Sequence, residues 1–167
     1  MREHHFAPAR AADLETIFAL YARRVDWMNA RGVHQWNDND YLDAYPLDYY
    51  REQQRAGRLY ALTDRDTQAI LGAVVLLEED ECWEGYAEKA ALYIHNLVTH
   101  PDAKGAGKII LRAIEDLARE KVKEHLRLDC DVNNAFLNAY YAALGYEMVG
   151  TCSDGPYYTG NLREKAL

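Results

Sequence analysis

Strand-like and helical segments alternate in the second half of the chain, and this alternation restricts the folds that the chain can adopt. The β-rich run "ALYIHNLVTH" is followed by the amphipathic run "AGKIILRAIEDLAREKVK". The alternating run "LRLDCDV" and the helical run "NAFLNAYYAALG" come next, and two more strand-like runs close the chain. Strands that alternate with helices in this way favour parallel pairing in a sheet.

The first half of the chain contains a hairpin pattern instead. The β-rich runs "RLYALTD" and "AILGAVVLLEE" are separated by the turn-like "RDTQ", which favours antiparallel pairing. The chain has no internal repeat, low-complexity tract or linker. The sequence therefore predicts an α/β (α+β) fold in a single domain, residues 1–167, with a mixed twisted sheet of about seven strands flanked by about four helices.

Charge and hydropathy exclude two classes of partner. The net charge is −8, from 19 basic and 27 acidic residues, whereas phosphate backbones require a basic face. We therefore expect no binding to nucleic acid. The chain has no apolar run of the roughly 20 residues that a membrane helix needs, and its polar N-terminus lacks the apolar core of a signal peptide. We therefore expect no membrane association.

The cysteines and histidines predict a protein of the cytoplasm without a metal. Cys82, Cys130 and Cys152 are widely spaced and include no Cys-x-x-Cys pair, so we expect no disulfide framework and a reducing, cytoplasmic location. Four of the histidines have no spacing typical of metal ligands, so no metal site is expected: His4, His5, His34 and His100.

The segment "HPDAKGAGKIIL" carries the strongest chemical pattern in the chain. It joins a predicted strand, ending near Thr99, to a helix that we expect to begin near Lys108. The first turn of a helix presents unpaired N–H groups, and glycines allow a bulky anion to approach the backbone. The segment is neither a Walker loop nor a dinucleotide fingerprint. From these residues alone, an ordinary glycine-containing turn is an equal alternative to an anion site.

Three features in order decide between these alternatives, and together they resemble the GNAT superfamily of acyl-CoA-dependent N-acyltransferases. They are the strand before the glycine loop, the helix after it, and an Asn followed by a Tyr and a Gly-aromatic pair, here Asn134, Tyr141 and "GY" at 145–146. The resemblance is strong over about residues 90–150, and "MNARGVHQW" and "YPLDYY" are similar to a bacterial branch. One departure is that Asp102 and Ala103 replace the Arg or Gln and the Gly that usually open the loop.

The resemblance implies a binding site for acetyl-CoA, which would serve as cosubstrate. The strand before the loop would pair with the pantetheine arm, and a backbone N–H there would polarise the thioester carbonyl. The loop would take the pyrophosphate, and Asn134 would touch the pantetheine or only cap its helix. The implied cofactor-binding residues are Leu97, Val98, Thr99, Lys104, Gly105, Ala106, Gly107, Lys108 and Asn134.

The resemblance also implies two catalytic residues. Tyr141 would protonate the leaving thiolate, although a tyrosine on an apolar helical stripe is otherwise a core residue. His95 occupies a strand position where many relatives carry Glu, and it would accept the proton of the attacking amine. The alternative for His95 is a strand histidine with a satisfied hydrogen bond. Alternation along the strand would place His95 on the same face as Leu97.

The implied function is transfer of an acetyl group from acetyl-CoA to a primary amine of a small molecule or peptide, by direct attack. The acidic residues Asp38, Asp40 and Asp43 either form turns or meet a cationic acceptor. A homodimer is also expected from the resemblance. Two alternatives are a non-catalytic member of the same fold that senses acyl-CoA, and a mononucleotide-binding module. The absence of a Mg²⁺-binding Ser or Thr after the glycines and lysine argues against the module.

Overall fold

The structure is a computed structural model that describes residues 3–34, 38 and 40–167. Seven strands are present in these ranges: β1 (His4–Pro8), β2 (Leu59–Asp64), β3 (Ile70–Leu77), β4 (Ala91–Thr99), β5 (His125–Asp131), β6 (Glu147–Asp154) and β7 (Tyr158–Ala166). The α-helices of the same ranges are α1 (Leu14–Arg31), α2 (Tyr41–Ala44), α3 (Leu47–Arg55), α4 (Ala106–Glu120) and α5 (Ala135–Ala143). 3₁₀ turns also lie at Ala11–Asp13 and Glu81–Trp83.

The strands form one mixed sheet in the order β1-β2-β3-β4-β5-β7-β6, which confirms the predicted fold class. The predicted hairpin is present, since β2 pairs antiparallel with β3. The predicted parallel pairing occurs between β4 and β5, where Ala91–Tyr93 lie opposite His125–Arg127. β7 pairs antiparallel with both β5 and β6.

One helix lies in a segment that the sequence predicts as a loop. The segment "HQWNDNDYLDAYP" contains the single-turn helix α2 at Tyr41–Ala44, which raises the helix number above the predicted four. Residues 35–37 and 39 of that segment lie outside the described part of the chain. A one-turn helix has no apolar periodicity long enough to be read from a sequence.

The chain folds as two compact units, Met1–Leu76 with His95–Ile114, and Leu77–Ile94 with Glu115–Leu167. Strand β4 and helix α4 each begin in one unit and end in the other. The predicted extent of a single domain over residues 1–167 stays a prediction.

In the first unit, α1 packs one face into the core and ends at Gly32. Leu14, Ile17 and Tyr21 are among its buried residues, at the spacing of one helical face. Gly32 ends the helix in the left-handed conformation, with φ of 63°. Asp13 occupies the N-cap position, but its carboxylate accepts hydrogen bonds from the Arg10 side chain at 2.8 Å and not from the helix.

In the second unit, Trp83 forms a hydrophobic core cluster with Ala91, Tyr93 and Leu162. Arg127 is buried beside this cluster, where its Nε donates to Glu164 at 2.7 Å and its Nη1 donates to the Tyr93 hydroxyl at 3.0 Å. The guanidinium carbon of Arg127 lies 4.4 Å from the centre of the Trp83 ring. A buried cation is tolerated here because its donors have partners.

The expectation of no disulfide is wrong. Cys82 and Cys152 form a disulfide bond, with their Cα atoms 5.5 Å apart. Seventy residues separate them in sequence, so their proximity depends on how the second unit folds and not on a local spacing motif. Cys130 is the free cysteine, and it is buried.

Candidate functional site

The glycine loop lies directly between β4 and α4, as predicted, but the helix begins earlier than predicted. α4 starts at Ala106, so Ala106, Gly107 and Lys108 form its first turn. Gly105 precedes the helix with φ of 83°, a conformation that disfavours other residues. A Cβ built at Gly105 would find nothing within 4 Å. The backbone at the start of α4 is therefore open to an approaching group.

Charged side chains surround this loop within the first unit. Lys104 and Lys108 are exposed. The Asp102 carboxylate, whose side chain is 93% exposed, lies 3.9 Å from Nδ1 of His100. The guanidinium of Arg23 also forms a close hydrogen bond with His100. Asp102, which departs from the family pattern, is therefore exposed to water and lies beside His100, which also contacts Arg23.

The three predicted backbone contacts on β4 do not point in one direction. The Val98 carbonyl oxygen lies 2.7 Å from the position that a Cβ on Gly72 would occupy, so it faces β3. His100 donates its N–H to the Leu71 carbonyl oxygen at 2.8 Å, also toward β3. Because peptide groups alternate in direction along a strand, those of Leu97 and Thr99 point away from β3.

Thr99 is already engaged by α1. The Nη2 atom of Arg24 donates to the Thr99 carbonyl oxygen and lies 2.9 Å from its Oγ1. Burial lowers the pKa of Arg24 from its usual value. Leu97 differs from the other two residues. Its peptide group points away from β3, unlike that of Val98, and Arg24 does not bond to it as it bonds to Thr99.

A left-handed residue interrupts β4 between His95 and Leu97. Asn96 has φ of 52°, which extended strands do not contain. Regular alternation therefore stops at Asn96, and the expectation that His95 and Leu97 share a face loses its basis. His95 itself is half-buried.

The Asn96 residue is held by tyrosines from three helices. The Tyr21 hydroxyl of α1 donates to its backbone carbonyl oxygen. The Tyr49 hydroxyl of α3 donates to its Oδ1 at 2.8 Å, and its Nδ2 donates to the Tyr41 hydroxyl of α2 at 2.6 Å. Tyr41 in turn lies 2.9 Å from the Tyr50 hydroxyl.

The rings of these tyrosines pack against one another. Tyr21 and Tyr50 stack with their centroids 4.4 Å apart, and both are fully buried. The ring centroids of Tyr41 and Tyr45 are 4.9 Å apart, and those of Tyr49 and Tyr50 are 5.0 Å apart. Burial raises the pKa of Tyr21, Tyr41, Tyr49 and Tyr50 well above the usual range, so all four hydroxyls keep their protons at neutral pH.

Sequence reasoning missed this tyrosine cluster. The segment "YLDAYPLDYY" carries four tyrosines, and that density was the available signal. Their partner, Asn96, gave none, because a single asparagine in a β-rich run indicates neither a left-handed residue nor three hydrogen-bond partners.

In the second unit, Asn134 and Tyr141 both belong to α5. Asn134 is the N-cap, and its Oδ1 accepts a hydrogen bond from the Leu137 N–H at 3.0 Å. Tyr141 is 8% exposed and packs edge-on against Tyr146, with ring centroids 5.6 Å apart. Burial, with a smaller contribution from Cys130, raises the pKa of Tyr141 well above its usual value. Tyr141 therefore carries its proton at neutral pH.

A polar network beside α5 also escaped the sequence analysis. The Asn138 Oδ1 accepts from Asn161 at 2.8 Å and from Arg163 Nη2 at 3.0 Å. The Cys130 thiol donates to the same oxygen at 3.3 Å, and burial raises the pKa of this thiol. The hydrogen bonds of Asn138 to these residues anchor α5 to β5 and β7 within the second unit.

The predicted site residues thus divide between the two units. The first unit brings together His95, Leu97–Thr99 and the loop Lys104–Lys108. The second unit contains Asn134 and Tyr141.

The acidic residues near α2 have local partners. Asp38 lies 3.0 Å from Nδ1 of His34. The Asp40 carbonyl oxygen accepts backbone hydrogen bonds from Asp43 and Ala44 at the start of α2. These contacts agree with turn formation.

The described part of the chain contains neither a cluster of metal-ligating side chains nor a helix that could span a membrane. Among residues 3–34, 38 and 40–167, no group of three His, Cys, Asp or Glu side chains could hold a metal ion. The helices within those ranges are too short or too polar to cross a bilayer.

Comparison with known proteins gives consistent similarities. The model of the acetyltransferase (GNAT) family matches residues 22–146. The protein named uncharacterized N-acetyltransferase YesJ, from Bacillus subtilis strain 168, is 25% identical in an alignment 157 residues long that covers 89% of this chain and 84% of YesJ.

Solved structures are similar in fold. A GNAT-family acetyltransferase from Listeria monocytogenes 4b F2365 superposes with a TM-score of 0.81 at 22% identity, over 98% of this chain and 95% of that one. The PaiA N-acetyltransferase from Thermoplasma acidophilum, solved in complex with coenzyme A, gives a TM-score of 0.73 at 15% identity, over 99% of both chains. At these identities the two structures establish a shared fold.

Proposed function

The chain belongs to the GNAT family of acetyltransferases, and on that premise we propose that it transfers the acetyl group of acetyl-CoA to a primary amine. The acceptor is a small molecule or a peptide. The amine nitrogen attacks the thioester carbonyl carbon, the new C–N bond forms, and the C–S bond breaks. One proton leaves the amine, and the thiolate of CoA takes one up.

The observation that carries this proposal is the loop between β4 and α4. An open left-handed Gly105, the first turn of α4 and the exposed Lys104 and Lys108 provide donors and positive charge for a pyrophosphate. We assign the pyrophosphate to this loop, Lys104 to Lys108. The complex of PaiA with coenzyme A supports a cofactor of this class.

We assign the pantetheine arm to the second half of β4, with the Leu97 N–H as donor to the thioester oxygen. The support is that the Leu97 backbone points away from β3, while the Val98 carbonyl faces it. A backbone donor aimed at the developing oxyanion stabilises the transition state for acyl transfer. Val98 and Thr99 follow Leu97 in β4, and we propose that both lie beside the pantetheine arm.

We assign the two proton transfers to His95 and Tyr141. His95 is next to Asn96 on β4 and takes the amine proton, directly or through water. Tyr141 gives a proton to the CoA thiolate. Its support is the family pattern, in which this tyrosine follows Asn134 by seven residues; burial keeps Tyr141 protonated but, by raising its pKa, makes it a weaker acid. Asn134 caps the start of α5. We also propose that its side chain contacts the pantetheine arm.

A thermal-shift panel of acetyl-CoA, CoA, ATP and NAD tests the cofactor. A ligand in hundredfold excess over its Kd stabilises the folded state by about 2.7 kcal/mol, so acetyl-CoA and CoA should raise Tm while ATP and NAD should not. Gly107→Val adds a branched side chain in the first turn of α4 and should weaken the CoA shift. If the variant has the parent circular dichroism spectrum and the parent affinity for CoA, the pyrophosphate binds elsewhere.

Location and assembly are predictions that belong to this proposal. A cytoplasmic location remains our prediction, although the disulfide between Cys82 and Cys152 removes the cysteine argument for it. A homodimer is expected, and light scattering of the purified protein would test it.

A further inference from the structure

The Tyr21 hydroxyl acts on the peptide group that leads into Leu97. It donates a hydrogen bond to the carbonyl oxygen of Asn96. That carbonyl and the Leu97 N–H belong to one planar trans peptide, so they point in opposite directions. A donor that fixes the carbonyl therefore also fixes the direction of the N–H.

The side chain of Asn96 is fixed at the same time. Tyr49 donates to its Oδ1 at 2.8 Å, and its Nδ2 donates to Tyr41 at 2.6 Å. Tyr41 is backed by Tyr50 at 2.9 Å. Rotation about the Asn96 backbone would break several of these hydrogen bonds together.

We propose that Tyr21, Tyr41 and Tyr49 are positioning residues for acetyl transfer, because by holding Asn96 they aim the Leu97 N–H at the thioester oxygen. This inference rests on the proposed function. The N–H donates to the oxygen as it becomes negative during attack by the amine. The donation weakens when the C–S bond breaks and the carbonyl re-forms. The tyrosines touch none of the reacting atoms.

Two physical effects support the role of Tyr21. A hydrogen bond to a carbonyl polarises its peptide group, which makes the N–H on the other side a stronger donor. Burial raises the pKa of Tyr21 well above its usual range, so the donor stays neutral and protonated wherever the enzyme works. The left-handed φ of Asn96 is also unfavourable without such support.

The test compares Tyr21→Phe and Tyr49→Phe with Tyr60→Phe. Tyr60 is a tyrosine of the same unit that stacks on Phe6 at 5.3 Å and takes no part in the cluster. The probe is acetyl-CoA labelled with ¹³C at the thioester carbonyl. Its infrared stretching frequency falls when a donor polarises the carbonyl, and this readout needs no amine.

We expect the parent and Tyr60→Phe to lower the carbonyl frequency of bound acetyl-CoA. Tyr21→Phe and Tyr49→Phe should return it toward the value in water, because the N–H loses its fixed direction. With the amine found by acetylation screening, kcat should fall about tenfold in Tyr21→Phe, as expected for one lost hydrogen bond, while KM for acetyl-CoA stays unchanged.

Asn96→Gly separates the side-chain contacts of Asn96 with Tyr41 and Tyr49 from its backbone conformation. Glycine allows the positive φ but removes the amide, so we expect the same carbonyl shift as in Tyr49→Phe. Glycine keeps the backbone carbonyl to which Tyr21 donates, so a parent-like spectrum in Asn96→Gly would show that the side-chain amide contacts are not needed and would overturn the roles of Tyr41 and Tyr49.

Three further outcomes are distinct. If folded Tyr21→Phe keeps both the parent frequency and the parent kcat, the positioning role is wrong while the proposed function stands. If acetyl-CoA does not bind the parent protein, the proposed function itself fails. If it binds without a lowered carbonyl frequency, the Leu97 N–H is not the donor and the inference is overturned.

Discussion

Tyr141 shows how much of a residue's role depends on its surroundings. Its position between Asn134 and the Gly-aromatic pair was readable from the sequence, and so was the apolar helical stripe that predicts a buried ring. Burial to 8% exposure explains why its pKa lies well above the usual value for tyrosine. Such a group is a weak acid, but a thiolate leaving group needs only mild assistance.

Tyr141→Phe should lower kcat by about 10² to 10⁴ and leave the Kd of acetyl-CoA unchanged, since only the proton donor is lost. Because the pKa of Tyr141 is raised, its neutral form persists as the pH rises, and kcat should not fall near the ordinary tyrosine pKa. The matched control is Tyr140→Phe, which removes a hydroxyl from the adjacent, half-buried ring. An unchanged kcat in Tyr141→Phe would make Tyr141 a core residue.

His95→Gln should remove the ascending limb from the pH profile of kcat/KM. Glutamine keeps hydrogen-bonding capacity but cannot accept the proton of the attacking amine. His5→Gln, on β1, is the control for a histidine on another strand. The base role is refuted if His95→Gln keeps the parent profile and rate.

At the level of single residues, the sequence predicted chemistry that follows from local pattern. The glycine loop at Gly105 and Gly107 was readable because glycines before a helix allow a bulky anion to approach the backbone. The left-handed Asn96 was not, because its conformation is supported by Tyr21, Tyr41 and Tyr49, which lie far from it in sequence. The family pattern also left the direction of each peptide group along β4 undetermined.

Helix α4 presents its N-terminus to the proposed pyrophosphate, so charge at its two ends should have unequal effects. Lys108→Ala should weaken acetyl-CoA binding severalfold and reduce its salt dependence, because a cation beside the phosphates is lost. Lys121→Ala makes the same charge change just beyond the other end of α4, and it should leave the Kd unchanged. Calorimetric titration at two salt concentrations measures both. Equal effects of the two variants would contradict a site at the start of α4.

At the level of elements, periodicity predicted the strands and the longer helices well. The β2–β3 hairpin was predicted from two β-rich runs and a turn, and the structure contains it. The start of α4 was placed two residues late, because a glycine inside the first turn resembles loop sequence. The one-turn α2 left no periodic signal.

The whole molecule contains one covalent constraint that the sequence did not reveal, the disulfide between Cys82 and Cys152. A native disulfide typically stabilises the folded state by about 2 to 4 kcal/mol. The free energy of unfolding should therefore fall by that amount in dithiothreitol or in Cys82→Ala. Cys130→Ala is the control, since that thiol is free.

Alkylation provides an independent measure of this pairing. In denaturant without reductant, one thiol should react, that of Cys130, and all three cysteines should react after reduction. Three reactive thiols without reductant would show that the disulfide is absent under the conditions of purification.

The central claim is that this chain acetylates an amine with acetyl-CoA. The most direct test is mass spectrometry of a library of small amines and peptides incubated with acetyl-CoA and the protein. We predict that at least one primary amine gains a single acetyl group, with equimolar release of CoA, and that Tyr141→Phe slows this product. Tight binding of acetyl-CoA without acetylation of any amine would contradict the claim and favour a protein that only senses acyl-CoA.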